Sequence, residues 1–164
     1  MASYIKPVVF SLNGHLFGVD ISLILSIEKQ VKAVRIPNES PCVEGIINLR
    51  GDVIPLYDLK KKFTFAGDST NPADKSIIVI RTKDTKLAIT VDSVLHIGDV
   101  ESANISEMPE LAKKPSEEVF DRVANINGKL VVLLNVDAIL SKEELSDIEK
   151  VKEAANKEVE NEQD

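Results

Sequence analysis

Short apolar runs rich in valine and isoleucine alternate with brief polar breaks through most of the chain, and only its end changes to a helical spacing. Val8 to Leu12 is followed by Asn13-Gly14, a strong signal for a two-residue hairpin turn, and His15 to Asp20 returns. Ile21, Ile24, Leu25 and Ile27 predict a short helical turn running into a strand, and polar residues 30–40, closed by Pro41, a loop. Val43 to Leu49 and Val53 to Leu59 read as strands joined by a turn at Arg50-Gly51-Asp52. Pro55 lacks a backbone donor, which places the second of them at an edge or bulge. The stretch Ala66 to Lys75, with Gly67, Asn71 and Pro72, is the expected boundary between two lobes. Beyond it, Ser76 to Thr82, Lys86 to Val91 and Val94 to Val100 read as strands. A loop over 106–118 leads to a last hairpin, Val119 to Ile126 and Lys129 to Asn135, turning at Asn127-Gly128.

Ser141 and Glu144 have the spacing at which serine and glutamate satisfy each other's end of a helix. Leu145, Ile148 and Val151 then recur at helical intervals, which predicts a short helix over about 142–156 and a frayed acidic tail over 157–164.

The segment from Asn48 to Asp58 aligns with that from Asn125 to Asn135, 77 residues later, and Val19-Asp20 recurs as Val91-Asp92 after 72. The order of hairpin, Val-Asp, loop and hairpin thus occurs twice. The expected fold is mainly β: two small barrels of about five strands, one lobe over about 8–65 and a second over about 76–140, followed by the helix.

Composition narrows the function. Of 164 residues, 43 % are hydrophobic and only 4 % aromatic, so the core is expected to be aliphatic. The net charge is −7, and residues 142–164 hold nine acids against four bases, or −5 of it. The remaining −2 leaves no basic footprint for nucleic acid or anionic membrane. Cys42 is the only cysteine, so no intrachain disulfide forms. No run approaches the ~18 apolar residues of a membrane span, and residues 1–7 do not resemble a signal peptide; a soluble, cytoplasmic protein is expected.

Catalytic chemistry finds little support. His15 lies beside a turn and His96 in an apolar run, positions where surface or packed imidazoles are the common case. Cys42, between Pro41 and Val43, reads as a small packing residue, and Asp20, Asp58 and Asp92 as turn caps at strand ends. Neither a metal-ligand spacing nor a phosphate-binding glycine loop occurs. No catalytic residue, metal or cofactor is expected.

The stretch Gly45-Ile46-Ile47-Asn48-Leu49-Arg50-Gly51-Asp52-Val53-Ile54-Pro55-Leu56-Tyr57-Asp58-Leu59 resembles the signature of the CheW family of chemotaxis coupling proteins, a long and specific motif. Phe10 to Ile21, Ile89 to Val94 and Asn127 to Leu140 extend the resemblance over most of the chain. The resemblance implies two SH3-like β-barrels and a non-enzymatic adaptor. Its implied partners are the regulatory CheW-like module of the histidine kinase CheA and the helical-hairpin tips of chemoreceptors. It also implies a receptor surface that includes Ile24, Gly45, Asn48, Arg50, Gly51 and Val94. Ser26 stands where the family often has glutamate and Ala88 where glycine is frequent, which leaves Glu28 as a nearby candidate carboxylate for Arg50. With a helix and acidic tail at the end, a stand-alone adaptor is expected rather than a fusion to a receiver or kinase. An adaptor of a non-flagellar pathway would share the fold. A nucleic-acid-binding barrel would need the basic and aromatic surface that this composition lacks.

Overall fold

Each of the three predicted tight turns closes a hairpin. In the computed structural model, which describes residues 4–29, 31–35, 40–63, 75–107 and 119–162 (backbone only at 4, 96, 97, 151 and 154–162), the paired turn residues all have left-handed backbones. The φ values are 51° and 82° at Asn13-Gly14, 54° and 86° at Arg50-Gly51, and 53° and 81° at Asn127-Gly128. That geometry matches the twist of the flanking strands. The first hairpin is β2 (Pro7–Leu12) with β3 (His15–Asp20), preceded by β1 (Tyr4–Ile5). A 3-10 turn, Ile21–Leu23, capped by the Asp20 carboxylate at the Ser22 amide, leads into β4 (Ile24–Glu28) and β5 (Ala33–Val34). The second hairpin is β6 (Val43–Leu49) with β7 (Asp52–Tyr57), and α1 (Leu59–Lys62) follows it. Then come β8 (Ser76–Arg81), β9 (Lys86–Val91), β10 (Ser93–Ile97), β11 (Val100–Glu101) and β12 (Ile105–Glu107). The last hairpin is β13 (Phe120–Ile126) with β14 (Lys129–Leu134), and α2 (Lys142–Glu162) ends the chain.

The internal repeat survives at atomic detail. The Asn48 side-chain oxygen accepts the Gly51 N–H at 3.0 Å, and Asn125 does the same for Gly128 at 3.0 Å. The lobes themselves are not the consecutive halves the sequence suggested. One six-stranded sheet has the order β10-β2-β3-β14-β13-β12, and the other β4-β8-β9-β7-β6-β5. The first hairpin has therefore joined the last one, and the β8–β9 hairpin has joined β6–β7, so lobes over 8–65 and 76–140 are corrected to two interleaved units. The cause is a pair of parallel contacts between distant segments: β14 on β3 (Val132 opposite Phe17) and β7 on β9 (Leu56 opposite Ala88). Neighbours in sequence usually share a sheet, and here parallel pairing overrides that tendency. The chain steps between sheets at Ile21–Leu23 and again at Asp92.

Two further expectations change. Pro55 lies on β7 between β6 and β9, not at an edge; the β6–β7 register shifts between Val43 and Gly45, beside the pair of Ile46 with Pro55, and the β9 pairing begins only at Leu56. The helix α2 continues past residue 156 to Glu162, so residues 157–162 extend it, while 163–164 lie outside the described residues. Most of the expected boundary at 66–75 and most of the loop over 106–118 also lie outside them.

Strand alternation sorts the side chains into three cores. Ile47, Ile54, Leu56, Ile77, Val79 and Ala88 fill the second sheet's own interior, and Val9, Val100, Ala124, Val131 and Leu133 that of the first. The opposite faces meet in a larger shared core that holds Phe10, Phe17, Tyr57, Ile80, Ile89 and Leu134. Four of the five phenylalanines gather there: Phe17 stacks on Phe63 at 5.4 Å and on Phe120 at 6.3 Å, and lies 6.1 Å from Phe10. The core is aliphatic, as its composition suggests, except at this seam.

Candidate functional site

The six residues singled out in the sequence fall into two places. Asn48, Arg50 and Gly51 form the exposed tip of the β6–β7 hairpin, with Gly45 further down the same β6 strand. Ile24 and Val94 lie on β4 and β10, each an outer strand of its sheet, and both pack against the shared core. Ile24 opposes Ile80 and Val94 opposes Phe10. They flank the two points where the chain passes from one sheet to the other.

The hairpin tip separates structural from presented residues. Asn48 is a turn cap, and Gly51 at φ 86° is the residue type that this turn position favours. Arg50 at φ 54° is different, because a left-handed backbone disfavours a long side chain, and the matching turn in the repeat has Asn127 there. The arginine is exposed and has no hydrogen-bond or ion-pair partner among the described residues. Glu28, the candidate carboxylate, does not pair with it, and the Ser26 hydroxyl is buried without a hydrogen-bond partner among the described residues. Gly45 has a packing role. A Cβ there would lie 2.2 Å from the Val34 carbonyl oxygen and 3.1 Å from the Arg35 Cα, so β5 closes over β6 only because residue 45 has no side chain.

An apolar surface missing from the sequence reading runs along these outer strands. Ile21, Leu25 and Ile27 on or beside β4, and Leu95 on β10, are exposed although large and hydrophobic. The run Ile24-Leu25-Ser26-Ile27 puts apolar residues on both faces of β4, a pattern that marks a strand covered on one side and presented on the other.

The start of α2 is fastened by a second cluster. Ser141 and Glu144 form the predicted reciprocal cap: each backbone N–H donates to the other's side-chain oxygen, both at 3.1 Å. The same carboxylate accepts the Tyr57 hydroxyl at 2.7 Å and the Ser40 hydroxyl at 3.1 Å, and lies 3.4 Å from the Lys62 ammonium. Asp147 accepts the Ser40 N–H at 3.0 Å. Burial would raise the Glu144 carboxyl, but the hydrogen bonds from Tyr57, Ser141 and Ser40 together with Lys62 outweigh it, and its pKa falls below the ordinary 4.5. Tyr57, buried beside that carboxylate, is pushed up and stays a phenol.

This fixes the sign of an acid-stability prediction. A carboxyl whose pKa is lower folded than unfolded binds fewer protons in the native state, so its stabilisation is complete above the unfolded value and disappears as pH falls through the folded one. Glu144→Gln is expected to cost about 1–3 kcal/mol at pH 7, typical of hydrogen bonds to a charged group. The variant should also show a shallower loss of melting temperature below the ordinary carboxyl value of 4.5. Thermal unfolding of both proteins from neutral to acid pH checks this; parallel curves would rule out Glu144 as the titrating group.

Ser40, Pro41, Cys42, Lys61, Lys62 and Glu144 border an open cavity of about 430 Å³. Burial raises the Cys42 thiol above its ordinary value, which keeps it protonated and a poor nucleophile. No group of three or more potential metal ligands occurs among the described residues, and none of their helices is long and apolar enough to cross a membrane. The geometry that stands out is a presented arginine on a strained turn and an apolar seam, which suit binding.

The family model described as the CheW-like domain matches residues 6–144, which include all six candidate residues. The chain is 29 % identical to the chemotaxis protein CheW of Bacillus subtilis (strain 168) over 138 residues, 84 % of this chain and 88 % of that protein. It is also 29 % identical to the chemotaxis protein CheW of Thermotoga maritima over 136 residues, 80 % of this chain and 84 % of that one. Among solved structures, it is similar to the scaffolding protein TtCheW from Thermoanaerobacter tengcongensis, with a TM-score of 0.79 and 28 % identity over 87 % of this chain and 97 % of that one.

Proposed function

The chain belongs to the family of CheW-like domains, and from that premise we propose that it joins chemoreceptor tips to the regulatory CheW-like module of the histidine kinase CheA. It is a chemotaxis coupling adaptor. In this reading it acts without chemistry of its own, in the cytoplasm, and reaches the membrane only through its receptor partners.

Arg50 carries the reading. A side chain kept at an unfavourable backbone position, exposed and unpaired among the described residues, is available for recognition. Ile24 and Val94 supply the apolar part, since a helical hairpin presents an apolar stripe to a groove. The kinase module, which shares the fold, would occupy a separate surface. Holding both partners raises their effective concentration for each other.

Reconstitution tests the proposal. Receptor-containing membranes and kinase from the same genome should show receptor-dependent stimulation of kinase autophosphorylation only when this chain is added. Full stimulation without it, or none with it, would contradict the reading.

A further inference from the structure

We propose that Asp92, held by Lys60, is a positioning residue that fixes β10, and with it Val94, at the seam between the sheets; this rests on the reading that Val94 meets the receptor. Asp92 is 6 % exposed and forms the single-residue step from β9 in the second sheet to β10 in the first. One carboxylate oxygen lies 2.5 Å from the Lys60 ammonium on α1, which follows β7 of the second sheet. The other accepts the Asn13 N–H at 2.7 Å from the β2–β3 turn of the first. The Asp92 N–H donates to the Ser11 carbonyl at 2.9 Å, and the Ser11 and Ser93 hydroxyls are 2.8 Å apart. One side chain thus ties the step to both sheets, two residues before Val94.

The repeat shows that this tie is not an obligatory part of the fold. Asp20, the counterpart of Asp92, accepts the Ser22 N–H at 2.9 Å and caps its own turn. The same fold element is therefore built with a local cap at one crossing and with an ion pair between the sheets at the other. A buried ion pair contributes little net stability compared with an apolar pair of the same shape, and its best-attested role is to fix one arrangement among several. Here the arrangement fixed is that of β10 relative to the second sheet.

The double variant Lys60→Met with Asp92→Asn removes both charges together and keeps a carbonyl oxygen for the Asn13 N–H. Its affinity for a soluble receptor-tip fragment and for the kinase regulatory module, both from the same genome, would be measured by calorimetry beside its melting temperature. The expected result is a folded protein with kinase-module affinity within twofold of the unmodified chain and receptor-tip affinity reduced at least tenfold. Lys60→Arg, which keeps the cation, should retain receptor affinity. Receptor affinity within twofold in the double variant would overturn the positioning role, as would equal loss of both partners or failure of the double variant to fold. Failure of the unmodified chain to bind either partner would instead overturn the adaptor reading itself, and this inference with it.

Discussion

Phe17→Ala is expected to lower the unfolding free energy by about 3–5 kcal/mol, the usual cost of emptying a buried aromatic site, and to do so for both sheets at once. Phe17 is 3 % exposed and belongs to β3 of the first sheet. Its ring stacks on Phe63, which caps α1 behind β7 of the second, and on Phe120 of its own sheet. The shared core, not the two barrel interiors, holds the largest buried side chains, among them Tyr57, Phe10 and Leu12. A cavity there weakens the contact through which each sheet supports the other. The melting temperature should fall by roughly 10 °C for a domain of this size. Amide resonances of β8 and β13 should lose their native positions together, in the unmodified protein and in the variant. Two separated transitions would show that the sheets fold independently and that the seam is merely a contact.

Arg50→Asn should have the opposite profile, with no loss of stability and a large loss of coupling. Asparagine tolerates the left-handed backbone that arginine occupies at φ 54°, and Asn127 already does so in the matching turn. Stability should therefore be unchanged or rise by up to about 1 kcal/mol. If the guanidinium is a recognition anchor, its removal should cost about 2 kcal/mol or more of receptor binding. That corresponds to roughly 30-fold in affinity, and receptor-dependent stimulation of the kinase should fall with it. Calorimetry against the receptor tip, with circular dichroism as the measure of folding, checks both parts. Unchanged affinity in the folded variant would remove Arg50 from the interface, and a drop in melting temperature would make it structural.

How far the sequence could be read depended on how local each feature is. The Asn13-Gly14 and Asn127-Gly128 turns, their strands and the Ser141–Glu144 cap follow from a few adjacent residues, and all appear as expected. The lobe boundaries did not, because they depend on Val132 meeting Phe17 and Leu56 meeting Ala88 across long stretches of chain. Nothing in the hydrophobic alternation of β3 or β9 records which partner lies beside it. The motif placed Arg50 and Gly51 on an exposed turn, but the close approach that requires Gly45, 2.2 Å from Val34 to any added Cβ, is visible only in three dimensions. Asp92 looked like a turn cap, which it is for Asn13; its ion pair with Lys60 joins elements that the sequence had assigned to different lobes.

The central claim is that one chain holds receptor and kinase together on separate surfaces. Titrating the kinase regulatory module into this protein, first free and then saturated with receptor tip, tests it directly. The account predicts the same affinity in both titrations and a three-component species of the corresponding mass in sedimentation. Displacement of the receptor tip by the kinase module, with no three-component species, would contradict it.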